Sequence, residues 1–218
     1  MHYDQIMATF GWDPAEDRAA AETLRPMVQR NWPAFGWDFK NRTEATVIGC
    51  GPQLESLTAQ DLPNAPIVAA DGATEWLMEQ GQLPRAVVTD LDGNPDALQW
   101  AAENGATMVV HAHGHNANKF PIIEDWPIVL GTYQGPQNDA LQPLRQSTGF
   151  TDGDRAALLL AEHHVKRIHM VGFDFDAEPS RYSHSWSDTK PQKLAIARDI
   201  IASIRGPEFV WPSGHTQP

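Results

Sequence analysis

From residue 45 onward the chain alternates short apolar runs with helical stretches, and few folds accommodate that pattern. The runs Ala45–Cys50, Pro66–Ala70, Ala86–Thr89, Thr107–Val110, Pro127–Leu130 and Arg167–Val171 are largely apolar and read as strands. Segments near 53–60, 73–81, 95–104, 155–164 and 191–204 read as helices. Strands without a polar face are expected where both faces of a parallel sheet are covered. Strands and helices in alternation imply a doubly wound α/β sheet. The expected fold is therefore α/β: a mostly parallel open sheet with helices on both faces, Rossmann-like, spanning 45–218. A small helical N-terminal extension, 1–44, precedes it. There, Pro14 to Arg30 has helical character, with Asp13 as a cap and Pro14 in the first turn. Trp12, Trp32 and Trp37, with Phe10, Phe35 and Phe39, are expected to pack this extension onto the main body. The tail after Pro212 is expected to be mobile.

Each run gives way to a polar cluster. The runs end in Gly49-Cys50-Gly51-Pro52, Asp71-Gly72-Ala73, Thr89-Asp90-Leu91-Asp92-Gly93, His111-Ala112-His113-Gly114-His115-Asn116, Gly131-Thr132-Tyr133-Gln134 and Gly172-Phe173-Asp174-Phe175-Asp176. In a parallel sheet these all fall on one edge, at the carboxyl ends of the strands, where open α/β folds bind ligands. One polar cluster after a strand is ordinary loop chemistry, but six on one edge make a site.

Charge limits what that site can take. The net charge of −12 argues against nucleic acid as a partner, since phosphate backbones need a basic surface. Any smaller phosphate must be neutralised locally. A single cysteine, Cys50, excludes an internal disulfide framework and a cysteine-rich zinc site. No run reaches the ~18 apolar residues of a membrane span, and the N-terminus lacks a signal-peptide pattern. A cytoplasmic protein without a membrane partner is expected.

Asp90 and Asp92 carry the sharpest signal. Both follow a buried run beside glycine, and positions i and i+2 of an extended segment point the same way. They would face one hard divalent cation, Mg²⁺ being usual where phosphates complete the shell. Asp71 is a further ligand or a helix cap. Thr151-Asp152-Gly153-Asp154-Arg155 opens a helix that Asp152 is placed to cap. Asp154 and Arg155 then lie in its first turn, with Arg155 a phosphate ligand or a partner for a nearby aspartate. The Gly49-x-Gly51 turn could offer amides to a phosphate at a helix N-terminus, or serve only as a tight connection. It lacks both a third glycine and a P-loop lysine. Lys190 and Lys193, with Ser183, His184 and Ser185, could cover a polyphosphate. The alternating histidines 111, 113 and 115 admit a rival reading, a zinc hydrolase.

Asp-Gly-Ala at 71–73, Thr-Asp-Leu-Asp-Gly at 89–93, His-Ala-His-Gly at 111–114, Gly-Phe-Thr-Asp-Gly-Asp-Arg-Ala at 149–156, Gly-Phe-Asp-Phe at 172–175 and Lys-x-x-Lys-Leu at 190–194 together resemble one family. It is the archaeal 6-hydroxymethyl-7,8-dihydropterin pyrophosphokinase family (MptE type), itself similar to thiamin pyrophosphokinases. The likeness runs in order from about Ala45 to Ile204. It implies transfer of the β,γ-pyrophosphoryl group of ATP to the hydroxymethyl oxygen of a dihydropterin, giving AMP, in tetrahydromethanopterin or folate synthesis. The resemblance also implies that Asp90 and Asp92 bind Mg²⁺, with Asp71, Asp152 and Asp154 as further ligands or orienting groups. On the nucleotide side the candidates are Gly49, Gly51, Asp71, Gly72, Arg155, Lys190 and Lys193. Asn116, Gln134, Asp174 and Asp176 are candidates for the pterin edge, and Asp92, Asp154 and His113 for taking the alcohol's proton. The analogy with thiamin pyrophosphokinases points to a homodimer. His115 stands where the family carries an aspartate, and Tyr133 replaces a small residue. Alternatives are diphosphate transfer to another alcohol such as thiamin, a sugar-nucleotide-dependent glycosyltransferase-like domain, and a non-catalytic nucleotide-binding module.

Overall fold

The computed structural model describes residues 3–28, 39, 42–114, 116–184 and 187–212. Two helices come first, α1 (Tyr3–Phe10) and α2 (Pro14–Leu24). Asp13 caps α2 as expected, its side chain accepting from the Ala15 amide at 2.9 Å. The strands are β1 (Glu44–Ile48), β2 (Ile67–Ala70), β3 (Ala86–Thr89), β4 (Thr107–Ala112), β5 (Val129–Tyr133), β6 (Arg145–Gln146), β7 (Arg167–Val171) and β8 (Glu208–Val210). Helices α3 (Ala73–Glu79), α4 (Pro95–Glu103), α5 (Asp152–Glu162) and α6 (Lys190–Ser203) lie between them.

The strands form one sheet in the order β6-β5-β4-β3-β2-β1-β7-β8, and every pairing is parallel. Each apolar run serves two cores because alternate side chains leave opposite faces. Ile67, Ala69, Val87, Met108 and Val110 pack with Trp76 of α3, Leu98 of α4 and Leu24 of α2. Val47, Val68, Val88, Val109 and Ile168 pack with Leu160 of α5 and Ile201 of α6. Helices thus cover both faces, as the runs imply. Ala20, Ala21 and Leu24 of α2 belong to the first of these cores. No helix among the described residues is long and apolar enough to cross a membrane.

Several expectations need correction. The segment near 53–60 is not one α-helix but two 3₁₀ turns, Pro52–Ser56 and Ala59–Asp61, separated by Leu57 in extended backbone. The fourth and fifth runs extend further than their apolar stretches. His111 and Ala112 lie in β4, and Gly131 to Tyr133 lie in β5, so neither group is loop. Helix α1 and the short edge strands β6 and β8 are additions to the elements expected from the sequence. Residues 213–218, and Trp32, Phe35 and Trp37, lie outside the described residues, as does His115.

The winding places the site. From β1 to β6 successive strands step in one direction, and β7 then returns to the other side of β1. The crevice beyond β1 and β7 is the point of reversal, where open parallel sheets leave room for a ligand. The connections are tightly interleaved there. The Gly49 amide donates to the Val171 carbonyl at 2.9 Å, and the Gly51 amide to that of Gly172 at 2.6 Å. A Cβ on Gly172, whose φ is +69°, would sit 2.4 Å from the Gly49 carbonyl oxygen.

Candidate active site

A cleft opens at this reversal, bounded by the ends of β1, β2, β3, β4 and β7, the start of α5 and the start of α6. Its floor is acidic. Asp71 ends β2 in the left-handed region, φ +43°, a conformation uncommon for non-glycine residues. Its carboxylate accepts from the Thr89 hydroxyl at 2.5 Å. Next to it, a Cβ on Gly72 would lie 1.9 Å from the Tyr182 carbonyl oxygen, so this turn admits only glycine.

Asp90 follows β3. One oxygen accepts from the Asp92 amide at 3.2 Å, and the other meets His113 Nε2, also at 3.2 Å. Leu91 then turns left-handed, φ +67°, so the segment is not extended and the two aspartates do not point alike. Asp92 pairs with Lys119 instead. The partner that joins Asp71 and Asp90 is Asp152, at the start of α5. Oxygens of these three carboxylates lie within 4.8 Å of one another, and among the described residues no other group of possible metal ligands is so assembled.

Asp152 is available for this because it does not cap α5, contrary to expectation. Thr151 is the cap, in a reciprocal box with Asp154. Asp154, fully buried, accepts from the Phe150 amide at 2.7 Å and the Thr151 amide at 3.0 Å, so its carboxylate holds the helix start. Arg155 is 2 % exposed and does not border the cleft. Its Nη1 pairs with Asp152 at 2.9 Å, and its Nη2 donates to the Gly149 carbonyl. Of the two roles open to Arg155, the structure places it as the aspartate's partner.

Burial and the neighbouring Asp90 push Asp71 up to about 7. The same causes hold Asp152 well above the usual carboxylate range. Burial works against charge on Asp90 too, but its His113 hydrogen bond and the nearby Arg155 keep it below that range. Three carboxylates with one buried cationic partner form a site of excess negative charge built from hard oxygen donors. Such a set suits a hard divalent cation.

The other candidate residues divide. Lys190, Lys193, Ser183 and His184 line the cleft, with Phe173 and Phe175 forming an apolar side. Asp174 also lines it and accepts from the Gln53 side chain at 2.9 Å. Asp176 faces away, pairing with Arg198. Gln134 donates to Asp17 rather than facing the cleft. The Asn116 amide donates to the backbone oxygens of Asp90 and His111, which ties the β3 and β4 loops together. Gly49 and Gly51 border the cleft, but their amides are already bonded to Val171 and Gly172, which makes the turn a close-packed junction rather than an anion cradle. Ser185 is outside the described residues. His111 is buried within β4, bonded through Nδ1 to Thr132 at 2.9 Å, and burial holds it well below its ordinary pKa, hence neutral. Its ring lies 5.9 Å from that of His113, and among the described residues neither belongs to a group of three or more possible metal ligands. Lys119, paired with Asp92, and Asp17, which accepts from the Gly114 amide, lie behind the cleft wall; neither belongs to a motif, so sequence reasoning misses both.

Known proteins are similar to this chain in sequence. The family described as 6-hydroxymethylpterin diphosphokinase MptE-like matches residues 19–179. A protein of Pyrococcus furiosus named 6-hydroxymethyl-7,8-dihydropterin pyrophosphokinase is 40% identical over 215 residues, covering 93% of this chain and 91% of its own. Proteins of the same name from Methanothermobacter thermautotrophicus and Methanocaldococcus jannaschii are 34% and 32% identical, covering 86% and 93% of this chain and 82% and 92% of their own. Among solved structures, the MAf glycosyltransferase of Magnetospirillum magneticum AMB-1 superposes with a TM-score of 0.54 at 15% identity. The match covers 93% of this chain and 37% of that one, a likeness of fold alone.

Proposed function

Because this chain belongs to the 6-hydroxymethylpterin diphosphokinase MptE-like family, we propose that it transfers pyrophosphate from ATP to 6-hydroxymethyl-7,8-dihydropterin. The reaction would be Mg²⁺-dependent and cytoplasmic, and would serve tetrahydromethanopterin or folate synthesis. The observation that carries this reading is the meeting of Asp71, Asp90 and Asp152 beside the lysines of α6, at the reversal point of a parallel sheet. The likeness to a glycosyltransferase, being one of fold, gives no comparable support for sugar-nucleotide chemistry.

In the reaction the acceptor's hydroxymethyl oxygen bonds to the β-phosphorus of ATP. The bond from that phosphorus to the oxygen shared with the α-phosphate breaks, and AMP leaves with that oxygen. Such transfers need positioning and charge neutralisation more than covalent help. Asp71, Asp90 and Asp152 would hold Mg²⁺, which when bound offsets the charge on the phosphate oxygens. Lys190 and Lys193 line the path a polyphosphate would take. Phe173 and Phe175 would offer an apolar wall for the nucleobase. Asp92 and His113, which line the cleft, would be the candidates to take the alcohol's proton. Asp154 is less suited, its oxygens being engaged by the start of α5.

Purified protein with Mg²⁺, ATP and the dihydropterin should form AMP and pterin diphosphate in equal amounts. ADP as the main nucleotide product would point to single phosphoryl transfer and overturn the reading.

A second expectation concerns pH. Asp71 and Asp152 bind protons more tightly in the fold than in an unfolded chain, where carboxylates titrate near about 4. Metal-free stability therefore falls as pH rises from there through about 7, the value for Asp71. Mg²⁺ competes with those protons. Its stabilisation should be near zero at pH 5 and clear at pH 8, read as the shift in melting temperature on adding the ion. Equal shifts at both pH values would argue against these carboxylates as the ligands.

A further inference from the structure

A second cavity, of about 320 Å³, lies beyond the cleft wall formed by Asp92 and His113. That volume is at the small end of the roughly 300–1,000 Å³ usual for ligand pockets. Trp12, Glu16 and Asp17 of the N-terminal region form one side, and Asn118 and Lys119 another. Asp92, His113 and Lys193 line both this cavity and the cleft, so the two spaces meet beside the three carboxylates.

The N-terminal side is fixed in place by a buried carboxylate. Asp17, 4 % exposed, accepts from the Gly114 amide at 2.6 Å, the Tyr3 hydroxyl at 2.8 Å and the Gln134 side chain at 2.9 Å. Burying a carboxylate is unfavourable unless its oxygens are well bonded. Packing α2 on the sheet requires only the apolar side of that helix. The Asp17 hub does something more, holding the first two helices in register with the loop that carries His113.

We propose that this second cavity is the acceptor subsite. It takes a flat, neutral heterocycle rich in hydrogen-bond donors, with its primary alcohol directed to the Asp92–His113 wall. The proposal rests on the diphosphokinase reading. Displacement at phosphorus runs in line, so the acceptor oxygen must approach from the side opposite the departing AMP. Two cavities that meet at one wall provide those two approaches. The grouping of charge decides which substrate takes which. The cleft holds five carboxylates beside Lys190, Lys193 and His184, but three of them, Asp71, Asp90 and Asp152, are gathered where a divalent cation would offset them, which with the aromatic side suits a nucleotide polyphosphate. The second cavity presents Asp13, Glu16, Asp17 and Asp92 against Lys119 and Lys193, and Lys119 is already paired with Asp92. Carboxylates not gathered around a cation site repel a polyphosphate and match a donor-bearing edge. Trp12, half-buried and stacked on Phe10 at 4.6 Å, supplies an aromatic wall, with the Lys193 ammonium 5.0 Å from its ring. On this view the N-terminal helices set acceptor specificity.

Steady-state kinetics of the full-length protein test this with Trp12→Ala, Glu16→Gln and Asn118→Trp. The last, at an exposed position, narrows the cavity mouth without touching the core. All three should raise the acceptor KM at least tenfold and leave the ATP KM within twofold. If Trp12→Ala fails to fold, Asn118→Trp decides. Unchanged acceptor KM, or a rise confined to ATP, overturns the subsite. Wild-type protein that makes no AMP with dihydropterin overturns the reaction instead. Equilibrium dialysis with 6-hydroxymethylpterin then decides the cavity separately: binding that Asn118→Trp abolishes keeps the assignment, and binding that is absent or unaffected ends it.

Discussion

Asp90→Asn is expected to reduce turnover by about 100- to 1,000-fold, the range for losing one electrostatic contact made in the transition state, about 3–4 kcal/mol. The substitution preserves local structure. The Asn oxygen still accepts from the Asp92 amide, and the new amide can donate to His113 Nε2, which now meets the carboxylate at 3.2 Å. What disappears is one charge among three. Asp90 is a principal neighbour raising Asp71 and Asp152. Its neutralisation should therefore leave the metal-free melting temperature unchanged or higher at pH 8, while the response to Mg²⁺ weakens. Loss of turnover with a retained fold fits a ligand. Wild-type turnover at limiting Mg²⁺ would show that Asp90 is no more than a turn residue.

Arg155→Met should produce the largest loss of stability. The guanidinium is buried, paired with Asp152, and bonded to the Gly149 carbonyl. Where Asp152 is ionised, removing its partner leaves an uncompensated buried charge and costs about 3–5 kcal/mol; since burial and Asp90 already raise Asp152, the loss should be largest at alkaline pH. Here the stranded carboxylate also faces Asp71 and Asp90. At roughly 2–4 °C per kcal/mol for a domain of this size, the melting temperature should fall by about 6–20 °C. Adding Asp152→Asn should restore much of that loss, since the stranded charge is then gone. A double variant no more stable than Arg155→Met would show that Arg155 acts through packing rather than through the pair. Asp154→Ala provides a milder contrast. It removes the capping box of α5, and a loss near 1–2 kcal/mol is expected.

The sheet was legible because its signal is local. A strand covered on both faces must be apolar at successive positions, and Ala86-Val87-Val88 or Met108-Val109-Val110 can satisfy that in few other ways. The chain direction then put Asp71, Asp90 and His113 on one edge without further information. Cap chemistry was less legible. Thr151, Asp152 and Asp154 can each begin a helix on paper, and only the hydrogen bonds distinguish Thr151 and Asp154 as the box from Asp152, which is left to pair with Arg155.

The grouping of the carboxylates was not local at all. Asp90 and Asp92 are two residues apart, yet the left-handed turn at Leu91 separates them and gives Asp92 to Lys119. Asp71, Asp90 and Asp152 are far apart in sequence and meet because the return of β7 to the side of β1 brings the start of α5 over the ends of β2 and β3. The same holds for the acceptor side, where α2 reaches the His113 loop through Asp17. Hydrophobic periodicity and chain direction are written residue by residue, so they specified the sheet and its functional edge. Which carboxylates share a cation depends on φ at single turns and on long-range packing, and those are properties of the folded whole.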